Sequence, residues 1–285
     1  MTFTLIKGTF HVAGYSPDGD SVRFKAKDPS LWKRLSGPAA AVNARGHAQL
    51  RIEAVDALET HYSGLCQPAR PAQAAARLLL SFLGIDDVVW DESHRFVTGA
   101  RDGTEGYILC RSTESNRRPV SFVFAGDSDD RDGSDVVLDA PLLKDSLNFR
   151  LLARGLAYPM YYNGLFSDLR QPLSAAVQSA REEGRGLWPY DRTTRGLSVS
   201  SLEAVTEEAA ILPKLFRRIV DYMGEGGSIL GFKEHLQKKC EPLVRIDQVH
   251  FTRLDAVVAV QGEKVRLSEA PENLIFMDRV LCKKS

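Results

Sequence analysis

Five charged side chains stand where phosphodiester chemistry could be run: Asp20, Arg51, Asp56, Glu59 and Arg118. Asp20 follows the turn residues Pro17-Asp18-Gly19, while Asp56 and Glu59 end a stretch that begins at Leu50 and contains Arg51. Two carboxylates from different strands can hold a hard divalent cation, with carbonyls and waters completing its shell. A third carboxylate can take a proton from an attacking water. Two guanidiniums can grip phosphate oxygens through paired donors as charge builds on them. Each residue alone reads as a solvated charge, so the chemistry lies in the combination.

The elements that must position these groups come next. Apolar and polar residues alternate from Leu50 to Val55, the period of a half-buried strand, which puts Arg51 on one face with Glu53 and Val55. Phe3–Val12 and Ser21–Lys27 read as a strand pair joined by the Ser16–Asp20 turn, and Gly106–Cys110 and Pro119–Phe124 as two more strands. A helix is expected from Pro68 or Pro71 to Phe82, ending at Gly84. Further helices are expected over Leu142–Gly155 and Pro172–Glu183. Residues 192–198 read as a linker by composition, and Ser200-x-x-Glu203 matches a capping box. Leu215, Phe216, Ile219, Val220 and Met223 form an amphipathic stripe after Pro213, with Arg217-Arg218 on its polar side read as an exposed face. Phe251–Val260 and Lys264–Leu267 flank Gln261-Gly262-Glu263 as a hairpin.

The 285 residues are enough for one large domain or two modest ones. With 26% charged residues and a formal net charge of zero, no global basic field advertises a nucleic-acid partner, although a local cationic cleft remains open. Cys66, Cys110, Cys240 and Cys282 form no CxxC, which disfavours a disulfide framework or zinc knuckle and fits a reducing compartment. No basic segment precedes an apolar run at the N-terminus, and no apolar stretch is long enough to span a bilayer. A cytoplasmic protein with no membrane partner is expected. Lys283-Lys284 reads as a short solvated tail.

Four segments, in order, resemble the staphylococcal nuclease (thermonuclease) family: Asp18-Gly19-Asp20-Ser21-Val22, Leu50-Arg51 through Glu59, Asn116-Arg117-Arg118-Pro119, and Leu151 to Ala157. The helix-Gly-Trp ending over Ala176–Trp188 is similar to the family's last helix, so the resemblance covers about Thr4 to Arg192. It implies an N-terminal OB-fold β-barrel with helices (an α+β fold) over residues 1–192. A linker over 193–199 and a small α+β accessory domain over 200–285 are expected to follow. It further implies calcium-dependent hydrolysis of DNA or RNA, cut on the 5′-oxygen side to leave 3′-phosphate ends. On that resemblance Asp20 and Asp56 ligate calcium (or another divalent cation) with the Ala57 carbonyl, and Glu59 is the general base. Arg51 and Arg118 stabilise the transition state, and Tyr161 contacts substrate. The family's Thr-Pro is Ala57-Leu58 here; its Tyr-Gly is Asn116-Arg117, which makes Arg117 a candidate substrate-binding cation.

A different class stays open beside the enzyme: an OB-fold module with weakened catalysis that binds nucleic acid, single strands above all, or a protein partner. Residues 200–285 leave a homo-oligomer contact or a partner-docking role open.

Overall fold

The computed structural model describes residues 2–207 and 209–277 as a mixed α+β fold. Cys282 and the Lys283-Lys284 tail lie outside the described residues. Among the described residues no helix is long and apolar enough to cross a membrane. The chain divides into two compact units that interleave in sequence: residues 1–53 with 73–151, and residues 54–72 with 152–285.

The first unit is built on a nearly closed, barrel-like sheet. Its main path runs Ala48–Gln49, Arg23–Ala26, Thr2–His11, Thr104–Thr113, Pro119–Ala125, Arg51–Ile52, with Asp135–Val137 added beside Thr2–His11. The two ends of that path, Ala48–Gln49 and Arg51–Ile52, are separated in sequence by Leu50 alone, and this joins the edges of the sheet. Leu50 N–H donates to the Val22 carbonyl at 2.9 Å and Ile52 N–H to the Asp20 carbonyl at 3.2 Å. Alternation then sorts the side chains: Phe24, Ala48, Leu50 and Ile52 are buried, while Arg23, Gln49 and Arg51 lie on the opposite parity and are half-exposed. Gly8 and Gly106 are register partners in the central pair, and a Cβ on Gly106 would lie 2.4 Å from the Phe10 ring, so a side chain there would displace that ring.

The stretch expected as one strand from Leu50 to Val55 is two strands, Arg51–Ile52 and Val55–Ala57. Ala54 breaks it with φ +68, a left-handed conformation that costs a non-glycine residue energy. Alternation is lost at that point, and Val55 is buried instead of sharing an outward face with Arg51. The helix expected over Leu142–Gly155 is also two, Ala140–Asp145 and Leu147–Ala153. Ser146 adopts extended backbone between them and its hydroxyl donates to the Leu143 carbonyl.

In the second unit Val55–Ala57 pairs antiparallel with Ala157–Pro159. A four-stranded sheet runs Tyr161–Tyr162, Leu274–Phe276, Pro242–Arg245, His250–Arg253. A three-stranded sheet joins Leu197–Ser198, Lys264–Leu267 and Val258–Gln261. Residues 193–199, expected as a linker, therefore contribute a strand and lie inside this unit, with Thr193 buried. Residues 200–277 share the unit with the Ser167–Glu182 helix, which Arg181 ties to Glu272 (Nη2 to Oε2, 2.8 Å). The Phe251–Val260 half of the expected hairpin is interrupted by a helical turn over Leu254–Val257.

Candidate functional site

Asp56 sits in the middle of Val55–Ala57 and is 1% exposed. A carboxylate so buried must be paired or hydrogen-bonded. Among the described residues the donors to its side chain all come from the Pro213–Gly224 helix. Lys214 N–H donates to Oδ2 at 3.1 Å, and Arg217 Nη2 reaches Oδ1 at 3.2 Å and Oδ2 at 3.1 Å. The N-cap residue of this helix, Leu212, has no side chain that can accept. Asp56 supplies the missing acceptor from another element, placing negative charge at the positive end of the helix dipole. Arg217 also donates through Nη1 to Glu59 Oε1, so one guanidinium spans both carboxylates. Glu59 is positioned in turn by Gln67: its N–H donates to Gln67 Oε1 at 3.1 Å, and Gln67 Nε2 donates to the Ile211 carbonyl at 2.7 Å.

The same helix uses its other charges inward. Lys214 Nζ lies 3.1 Å from Glu241 Oε2, and Arg218 donates to Glu241 Oε1. Burial alone would raise the Glu241 carboxyl, but the Arg218 hydrogen bond and the Lys214 and Arg218 charges outweigh it and hold the group at about 2. Tyr62 donates its hydroxyl to Asp221 at 2.7 Å, and burial together with that carboxylate pushes the phenol up to about 12. Lys214, Arg217, Arg218 and Asp221 are spaced at i, i+3, i+4 and i+7, a charged stripe parallel to the apolar one. The expectation of an exposed Arg217-Arg218 pair is therefore corrected, because both are tied to carboxylates and partly buried.

Asp20, Arg51, Arg117 and Arg118 lie in the first unit. Asp20 follows a turn in which Asp18 Oδ1 accepts from the Ser21 hydroxyl at 2.7 Å. Arg51 is the register partner of Val120, on the strand that starts just after Arg118. Arg118 closes a tight turn with Glu114, its Nε donating to Glu114 Oε1 at 3.1 Å and its N–H to the same oxygen at 3.2 Å. Burial opposes the charge of Glu114, but Arg118 outweighs it and lowers the carboxyl. Arg117 has φ +64 and spends its Nε on the Ala39 carbonyl at 2.9 Å, which fastens the turn to the 36–41 loop. Beside them opens a pocket of about 330 Å³ lined by Arg23, Ala41, Gln49, Asn116 and Arg118.

Tyr161 is fully buried, its hydroxyl 3.0 Å from Ser174, and offers no ring face to a substrate. Tyr158 is buried likewise and donates to Asp191 at 2.7 Å. The expected substrate contact at Tyr161 is thus corrected to a core position.

No protein-family model matches the chain, and the search of curated proteins found no match.

Among the described residues no group of three or more His, Cys, Asp or Glu side chains is arranged to hold a metal ion. The chemistry of the Asp56 and Glu59 pair nevertheless suits a hard cation: both donors are carboxylate oxygens and they converge on a single positive charge. That charge belongs to Arg217, which stands in for a cation at this point.

Proposed function

We propose that this chain hydrolyses phosphodiester bonds of DNA or RNA, on an OB-fold barrel of the staphylococcal nuclease type, with single strands the favoured substrate. The observation that supports this reading is the convergence of Asp56 and Glu59 on one positive charge. Glu59 accepts a proton from the attacking water; the water oxygen bonds to phosphorus, the bond to the 5′-oxygen breaks, and that oxygen takes a proton from solvent, leaving a 3′-phosphate and a 5′-hydroxyl. Arg51 and Arg118 donate to the non-bridging oxygens as their charge rises. Calcium, or another divalent ion, held by Asp20, Asp56 and the Ala57 carbonyl, would supply positive charge to the anionic phosphate. Arg217 must release Glu59 before the carboxylate can act as a base, since an oxygen committed to a guanidinium is a poor proton acceptor.

The test is incubation with single-stranded DNA, double-stranded DNA and RNA, each with calcium or with EDTA. Calcium-dependent products ending in 3′-phosphate support the proposal. A specific observation favours a second reading: Asp56 takes three contacts from one helix and is spent on holding it. On that reading the barrel binds nucleic acid or a protein partner without cleaving. Strand binding with no cleavage of any substrate selects it.

A further inference from the structure

We infer that the pocket lined by Arg23, Gln49, Asn116 and Arg118 is a phosphate-binding site, and that Arg23, which the nuclease resemblance does not involve, is its principal ligand. Arg23 and Gln49 are register partners on adjacent antiparallel strands, so both side chains leave the same face of the sheet, opposite the buried Phe24 and Ala48. Arg118 enters from the turn before the Pro119–Ala125 strand, and Asn116 from the same turn.

Two observations point to an anion. The Arg23 guanidinium lies over the Tyr15 ring, 4.8 Å from its centroid, and makes no hydrogen bond or ion pair among the described residues. The ring contact orders the side chain while all five N–H donors stay available. Among the described residues the Arg118 side chain gives only its Nε to Glu114, so both Nη groups remain for a ligand. Two guanidinium forks with uncommitted donors in one pocket match the tetrahedral oxygens of a phosphate, which planar paired donors recognise better than point charges do. The volume is also of the right order, near the ~300 Å³ lower limit of small-molecule sites, and admits a phosphate with its sugar. Asn116 is itself steered, its Nδ2 donating to Glu114 Oε2 at 3.0 Å, which leaves the amide oxygen as its acceptor. The site binds a phosphate of a nucleic-acid strand; free phosphate shares the chemistry and is separated by the test.

This inference does not depend on hydrolysis and stands if the chain only binds. The probe is a 5′-fluorescein-labelled ten-nucleotide oligothymidylate, read by anisotropy in EDTA on the full chain. Inorganic phosphate and thymidine 5′-monophosphate are added as competitors. Arg23→Ala is expected to weaken oligonucleotide binding at least about tenfold and to flatten the dependence of log K on log salt by about 0.7, the loss of one phosphate contact. Arg23→Lys keeps the charge and loses the fork, and should fall between the two. Competition by the monophosphate but not by inorganic phosphate assigns the site to a strand phosphate, whereas equal competition assigns it to free phosphate and overturns the strand assignment. Wild-type affinity and salt slope in Arg23→Ala, or in Arg23→Lys if the alanine variant fails to fold by circular dichroism, overturn the site itself.

Discussion

Arg23 and Arg217 are ordered in opposite ways. Arg23, in the first unit, rests on an aromatic ring and keeps its donors, while Arg217, in the second, spans two carboxylates. The difference follows from what each faces. A half-exposed pocket leaves water to satisfy a cation, so no protein acceptor is required. A carboxylate that is 1% exposed, as Asp56 is, cannot wait for a ligand and must be matched from within the fold. Arg23 is thus held ready, whereas Asp56 and Glu59 are held closed by Arg217.

Four experiments break or sharpen this contrast. The largest effect is expected on turnover: Glu59→Gln should lower cleavage by about 10²- to 10⁴-fold, the usual worth of a general base, while leaving oligonucleotide affinity unchanged. A parallel loss of affinity would move Glu59 out of the proton-transfer role. Next, Asp56→Ala should lower stability by about 3 kcal/mol, because a buried ion pair and a helix-end acceptor go together. Urea unfolding measures it, and a change under about 0.5 kcal/mol, the range of ordinary surface positions, would mean the carboxylate is not holding the helix. Arg217→Gln should tighten calcium binding by calorimetry by about tenfold, on the order of one kcal/mol of removed like charge; unchanged affinity would show that cation and guanidinium do not compete. The last comparison is in pH.

In the first unit His47 is pushed down to about 4 by burial and by the neighbouring charges of His11, Lys25 and Arg45. The unfolded chain binds that proton near 6.5, so stability is complete above about 6.5 and declines toward 4 as the unfolded state takes the proton first. Glu241 in the second unit is held at about 2 against an ordinary 4.5, so its contribution is complete above 4.5 and is lost between 4.5 and 2. Thermal melts across pH should lose the upper slope in His47→Gln and the lower slope in Glu241→Gln.

Much of the barrel was legible because alternation is a local signal: the Phe3–Val12 expectation differs by one residue at each end from the observed Thr2–His11. The break at Ala54 was not legible, since nothing in an alanine announces φ +68; the surroundings of Glu53 impose it, with Ser121 accepting its N–H and Asn148 donating to its carbonyl. Arg217 departs from the exposed face expected of it for a related reason. Charges at helical spacing default to a solvated face, and the partner that overrules the default is 161 residues away. Arg23 is the outward member of an alternating strand, and only the register with Gln49 gives that position a pocket. Tyr161 carried a motif position whose side chain the packing turned inward.

The separation of 161 residues between Asp56 and Arg217 also sets an order of events at the ribosome. At about 5–20 residues per second, Asp56 and Glu59 emerge roughly ten to thirty seconds before the guanidinium that neutralises them. Residues 54–72 belong to the second unit yet are made in the middle of the first, so the nascent chain carries Asp56 and Glu59 unpaired until Arg217 has been added. A chain released early at about Gly196 would lack Arg217, Glu241 and the Leu274–Phe276 strand at once. Such a product would leave Asp56 buried without the guanidinium that pairs it.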